Sequence, residues 1–263
     1  MRRAVVTIVA SVLLSGVALA GPAYTPPKVS TAKTVEAPDD LRAAATELLQ
    51  AVTAKDVDAI GKRLAPRIAI VTGTLDLSTA RRTRLEGPWQ SAKSQVADLG
   101  NNTGGDWDLP PDVDIGVFLT RMELDFISQS LTDGQPWGTD AAVKGAICTY
   151  ALGQVDPAAV RRAARALDTS GDNFVGVKRE IELFDTMEAG GKPVGKVVPG
   201  LLYATDYDAE TSTEWTAFHL PAGGVGFGRT SGDDFDRPYA SGLCFRQQAS
   251  GEWAVVAQAS TGL

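Results

Sequence analysis

A chain of 263 residues with 44% hydrophobic and 22% charged side chains has the make-up of a folded protein, with enough length for one large or two modest domains. Its 25 Lys and Arg against 32 Asp and Glu leave a net charge of −7, which argues against nucleic acid and anionic lipid surfaces as partners. A single His is poor provision for a metal centre, so neither metal nor cofactor is expected.

Residues 1–20, MRRAVVTIVASVLLSGVALA, place Arg2 and Arg3 before an apolar run that ends in Ala18-Leu19-Ala20. That is the pattern of a secretory signal peptide cleaved before Gly21, and it is too short for a good membrane span. Losing the two Arg would take the net charge from −7 to −9. The expectation is a periplasmic or secreted protein with no membrane attachment after cleavage. Two cysteines in such a chain are most simply one disulfide, Cys148 to Cys244. Residues 21–38, rich in Pro, Thr and Lys and without periodicity, read as a disordered leader.

Residues 39–168 read as a helix-rich N-terminal domain. Leu41, Ala45, Leu48, Leu49 and Val52 recur at helical spacing behind Asp39 and Asp40, and Val57, Ile60 and Leu64 form a second apolar face. Arg67 to Gly73 (RIAIVTG) is a short strand or buried segment. Helical signals follow at Ser78 to Glu86 and Ser91 to Leu99, with Arg81, Arg82 and Arg84 on a solvated helix face. The loop from Gly100 to Gly116 carries Asp106, Asp108, Asp112 and Asp114, but Pro110 and Pro111 break the spacing of a calcium loop, which leaves turn chemistry and a helix cap. Val117 to Leu131 is a strong helix with a stripe of Leu119, Met122, Phe126 and Ile127. Asp156-Pro157 opens another, with Val160, Ala163, Ala164 and Leu167 facing inward. The turn residues 169–173 form a linker. Within this region LLQAVTAKDVDAIGKRLAPRIAI resembles the entry to the cone-shaped α+β fold of the nuclear transport factor two family, although the antiparallel strands of that fold do not clearly follow.

Residues 174–263 break into short alternating runs separated by Gly, Pro, Asp and Ser, which suggests a small barrel or sandwich. Ile181 to Asp185, Pro193 to Val198, Gly200 to Tyr203, Trp215 to Leu220, and Gly224, Gly226 and Phe227 resemble the strand pattern of bacterial SH3 (SH3b) domains. Gly228 departs from it, standing where those domains more often carry an aliphatic residue. The tail from Phe235 to Gln258 resembles the closing hairpin of SH3-containing exported proteins of unknown function. The fold class expected is therefore α+β: a helix-rich N-terminal domain followed by an SH3-like β-barrel with an added C-terminal hairpin. The resemblance implies ligand binding through exposed aromatics, here Tyr203, Tyr207, Trp215 and Phe227, beside the carboxylates Asp206, Asp208, Glu210 and Glu214. It also implies cell-wall peptides as the ligand class, so peptidoglycan or an envelope protein is the expected partner.

Catalytic motifs are sparse. His219 could in principle activate Cys148 or Cys244, but the order and surroundings of a papain-like site are missing, so no catalytic residue is assigned. Gly223 to Gly228 lies between two strand runs and reads as a hairpin and bend rather than a phosphate loop. The leading expectation is an exported, non-enzymatic binding or scaffold protein of the bacterial cell envelope. The alternative is a cell-envelope hydrolase using carboxylates in the N-terminal domain, for which a cleft holding two buried carboxylates would speak.

Overall fold

The computed structural model describes residues 21–74, 76–102, 111–188, 190–209, 211–236, 238 and 241–262. The expected signal peptide (1–20), Asp106, Asp108 and Glu210 lie outside them. Helix α1 (Asp39–Thr53) buries Leu41, Ala44, Ala45, Leu48 and Val52, the stripe that helical spacing anticipates. Helix α2 (Val57–Arg63) starts where the Asp56 carboxylate accepts from Ala59 N at 3.0 Å. Strands β1 (Leu64–Thr74) and β2 (Arg82–Glu86) pair antiparallel. Helices α3 (Ala92–Gly100) and α4 (Ile115–Thr132) follow, then β3 (Ile147–Cys148) and α5 (Pro157–Leu167). Seven short strands come next: β4 (Phe174–Val177), β5 (Ile181–Phe184), β6 (Pro193–Val197), β7 (Tyr203–Ala204), β8 (Trp215–His219), β9 (Val225–Arg229) and β10 (Phe235–Asp236). Strands β11 (Gly242–Gln247) and β12 (Trp253–Gly262) complete the order.

These elements form a mixed α/β molecule with three sheets, none of them closed into a barrel. The expected fold class is corrected at two points. First, the region before residue 168 holds the five α-helices of the described residues but does not stand as a separate helix-rich domain. Its strands β1, β2 and β3 combine with the C-terminal pair in one five-stranded sheet, ordered β2-β1-β12-β11-β3, with β1 and β12 parallel. Second, β11 and β12 do not close a barrel; they are the middle of that large sheet. The physical reason lies in β12. Its residues from Ala254 to Ser260 are all buried, so both faces need cover and both edges need partners, which the centre of a sheet supplies and a barrel rim does not. Strands β4 to β10 are therefore an insertion between α5 and β11.

Within the insertion, β10-β4-β7 and β6-β5-β9-β8 are separate sheets that pack on each other and are linked by a bridge from Thr205 to Phe218. Strands β7 and β10 are two residues each, too short to carry the pairing around, and β6 and β10 stay at opposite ends. Val175, Val177, Ile181, Leu183, Val197, Tyr203 and Phe218 fill the space between the sheets.

A further correction concerns 78–86. The expected helix is absent: Arg82 to Glu86 pair with β1, from Thr72–Arg82 to Ile68–Glu86. Alternation of Thr83 and Leu85 with charged residues suits a strand at a sheet edge, and Gly87-Pro88 ends it. Helix α4 forms as expected, but it buries Glu123, Leu124 and Ile127, so its inward face is rotated from the stripe drawn through Leu119 and Met122. Residues 21–38 run across the molecule in extended form. Their bridges from Lys28 to Leu201, Val29 to Val155 and Thr34 to Gly138 join the insertion to the large sheet.

Candidate functional site

In the sheet β6-β5-β9-β8, alternate residues point inward and outward. Ile181, Leu183, Gly226, Gly228 and Phe218 take the inner face and are buried. The outer face carries Phe184 directly opposite Phe227, Phe227 opposite Ala217, and Trp215 opposite Arg229. Phe184, Phe227 and Trp215 are all half-buried, so each offers part of its ring to solvent. Phe184 meets Trp215 edge-on with ring centroids 6.3 Å apart, and the Arg229 guanidinium lies over the Trp215 ring at 5.4 Å. Glu214 holds Arg229 at 3.7 Å. The result is an aromatic shelf whose tryptophan is already stacked by a cation of the same chain.

The four aromatics singled out in the sequence separate into different environments. Trp215 and Phe227 share the shelf. Tyr207 lies in the loop after β7 and is 65% exposed. Tyr203 is core: it is 3% exposed, and its hydroxyl accepts from Val198 N at 3.3 Å. Burial pushes its phenol above the usual value. Of the acidic residues, Asp206 is committed to a turn, accepting from Asp208 N and Ala209 N at 3.0 and 3.2 Å. Sequence reasoning missed Phe184 and Arg229. Phe184 ends the run whose parity Ile181 and Leu183 set, and that parity places it outward.

Both cysteines form the Cys148–Cys244 disulfide, with Cα atoms 3.9 Å apart, so no thiol is free for a Cys–His nucleophile. His219 ends β8, where its carbonyl accepts from the Tyr24 hydroxyl at 3.2 Å. Among the described residues no group of three or more His, Cys, Asp or Glu could hold a metal. Asp114 is instead a cap for α4, accepting from Gly116 N and Val117 N at 2.9 and 3.1 Å.

Among the described residues two acids are deeply buried, Asp140 and Glu123, and they do not converge. Asp140 takes Arg81 in a two-pronged pair at 3.0 and 2.7 Å, accepts from the Tyr150 hydroxyl at 2.6 Å and from Ala142 N at 2.9 Å. Burial alone would raise its carboxyl; the Arg81, Tyr150 and Ala142 hydrogen bonds outweigh that and hold it below the usual range. Tyr150 also touches Cys244 Sγ at 3.4 Å, and Cys244 pairs with Ala257. Glu123 meets the next residue of β12: Gln258 Nε2 donates to its Oε2 at 3.0 Å. Adjacent strand residues face opposite sides of a sheet, so the sheet separates the two acids. A cavity of about 270 Å³ adjoins Asp140 and Arg81, walled by Leu77, Leu152, Val155 and Pro157. It holds one carboxylate already neutralised by an arginine, rather than an acid–base pair.

No family model, curated protein or solved structure matches the chain.

Proposed function

We propose that the chain is an exported, non-enzymatic binding or scaffold protein of the bacterial cell envelope, recognising peptidoglycan peptides or a protein partner through the outer face of its inserted sheets. The observation that carries this reading is the shelf of Phe184, Trp215 and Phe227, three half-buried rings side by side on rigid strands. Aromatic side chains held on a fixed scaffold are economical contact groups, since little side-chain freedom is lost on binding. The resemblance of this strand pattern to SH3b domains, although the sheets do not close into a barrel, suggests the same ligand class, and the disulfide fits an oxidising compartment. The hydrolase alternative has less support, because Glu123 and Asp140 lie on opposite sides of the large sheet.

The test is co-sedimentation of the oxidised chain from Gly21 onward with insoluble peptidoglycan. The wild type is expected to pellet, and Trp215→Ala combined with Phe227→Ala is expected to lower retention at least tenfold while leaving the far-ultraviolet circular dichroism unchanged. Equal retention of both proteins would remove the shelf from the binding site.

A further inference from the structure

Strand β2 is an edge of the large sheet, and Arg82, Thr83, Arg84 and Leu85 are all exposed. Both faces of the strand are therefore open, and so is the row of backbone N–H and C=O groups on the side away from β1. The strand contains neither Pro nor a bulge, two devices that commonly blunt such edges. Its side chains sort cleanly by face. Arg82, Arg84 and Glu86 sit opposite Thr72, Ile70 and Ile68, and Thr83 and Leu85 sit opposite Val71 and Ala69. Arg82 has no hydrogen-bond or ion-pair partner among the described residues. Arg84 is tethered by Glu86 at 2.7 Å and by Asn102, yet its side chain remains 55% exposed. Leu85, on the opposite face, is 61% exposed.

We propose that β2 is a strand-addition site for an extended acidic segment of a partner protein. The added strand would hydrogen-bond to the open edge, set carboxylates at alternate positions against Arg82 and Arg84, and lay an apolar side chain against Leu85. Arginines two apart on a strand stand roughly 7 Å from each other, the same spacing as alternate residues of the incoming strand. Charge decides the occupant. In a chain of net charge −7 this edge carries an excess of positive charge, which favours an acidic strand. A second copy is the competing occupant: antiparallel self-pairing along all five residues of β2 would set Arg84 against its own counterpart, which repels, but Arg82 against Glu86 twice, which attracts, so the oligomeric state is one arm of the test. This surface is separate from the aromatic shelf.

The test uses the oxidised chain from Gly21 onward and a fluorescent ten-residue peptide of alternating Glu and Val, read by fluorescence polarisation. It is expected to bind at least tenfold tighter than the same peptide with Lys in place of Glu, with affinity falling as salt rises. Arg82→Glu with Arg84→Glu should cost at least tenfold. The single variant Arg82→Glu, at a side chain with no described partner, should cost several-fold and guards against misfolding of the double variant. N-methylating one set of alternate peptide amides should abolish binding, while methylating the other set should leave it, because only one set points at the edge. Equal binding of the Glu and Lys peptides, no binding of either, or indifference to which amides are methylated would overturn the proposal. So would sedimentation showing a dimer that Arg82→Glu disperses, since that result assigns the edge to a second copy.

Discussion

Glu123 is the residue whose chemistry departs furthest from its ordinary state. It is 1% exposed on α4, and burial pushes its carboxyl well above the carboxylate range, with the Gln258 hydrogen bond only partly opposing this. The neighbouring geometry explains how the site tolerates it. Gln258 Oε1 is buried and without a hydrogen-bond partner, and a protonated Glu123 carries the hydrogen that this oxygen lacks. The linkage has a definite sign. An acid whose folded-state pKa is raised contributes its full share of stability below its unfolded pKa, near 4.3, and loses it as pH rises through the higher folded value. The large sheet is therefore expected to weaken as pH rises above that unfolded value. Glu123→Gln, which supplies an uncharged donor at every pH, should flatten that loss and leave the variant more stable than the wild type at pH 8. Urea unfolding at several pH values measures this; parallel curves for the two proteins would show that Glu123 is ionised at no cost. Nothing in the apolar stripe read from α4 announced this residue. Periodicity ranks positions by hydrophobicity, so a buried acid that works by sharing a proton is invisible to it.

Among the elements, those with strong local signals were legible. Helix α5 buries Val160, Ala163, Ala164 and Leu167 as its spacing demands, and Asp156 caps it by accepting from Ala158 N at 2.9 Å. Strand β2 was not, because its identity comes from a neighbour: five residues with mixed propensity become a strand when β1 offers an edge. Strand β3 is a related case. Two residues long, it owes its place to Cys148, which lies directly opposite Cys244 in β11. The pairing of the cysteines followed from their even count and the expected compartment; the sequence did not show that both strands belong to one sheet. The bridge spans 96 residues of sequence and encloses the whole insertion, so it pins the ends of that excursion to one sheet rather than tying one lobe to another. Closing a loop of that length is worth roughly 4 kcal/mol in the chain-entropy account, with less commonly realised. Reduction, or Cys148→Ala with Cys244→Ala, should lower stability by about 2–4 kcal/mol. Because both partners belong to the large sheet, the unfolding transition should fall in a calorimetric scan with reductant. An unchanged scan would mean that β3 is held by its hydrogen bonds alone.

At the scale of the whole molecule, the central feature is the parallel contact of β1 with β12, which brings together strands far apart in sequence, Leu64 opposite Val255 and Thr74 opposite Gly262. No local pattern encodes such a pairing, since β1 and β12 each read as a buried apolar run and neither names its partner. The same limit hid the role of residues 21–38. Their composition resembles a linker, but their backbone is used as structure. Val29 N donates to Gly200 O at 2.9 Å, Leu202 N to Pro27 O at 2.8 Å, Ser30 N to Gln154 O at 2.8 Å and Val35 N to Trp137 O at 2.8 Å. Tyr24 is the anchor. It is 8% exposed, meets Phe174 edge-on at 6.2 Å, and donates its hydroxyl to the His219 carbonyl at 3.2 Å. Its phenol is raised by burial, so it stays protonated and able to donate throughout the physiological range. The segment thus contacts the insertion at Tyr24 to Val29 and the large-sheet half at Thr34 and Val35, and its removal would strip hydrogen bonds and apolar cover from both. A chain beginning at Asp39 is expected to unfold in two separated transitions, with the insertion melting first, where the chain beginning at Gly21 unfolds in one. Tyr24→Ala in the longer chain should cost about 3 kcal/mol, as loss of a buried aromatic commonly does, and so lower its single transition or split the insertion off ahead of the large sheet. Differential scanning calorimetry of the three proteins distinguishes these outcomes: a single, unshifted transition in the chain beginning at Asp39 would return residues 21–38 to the status of a leader.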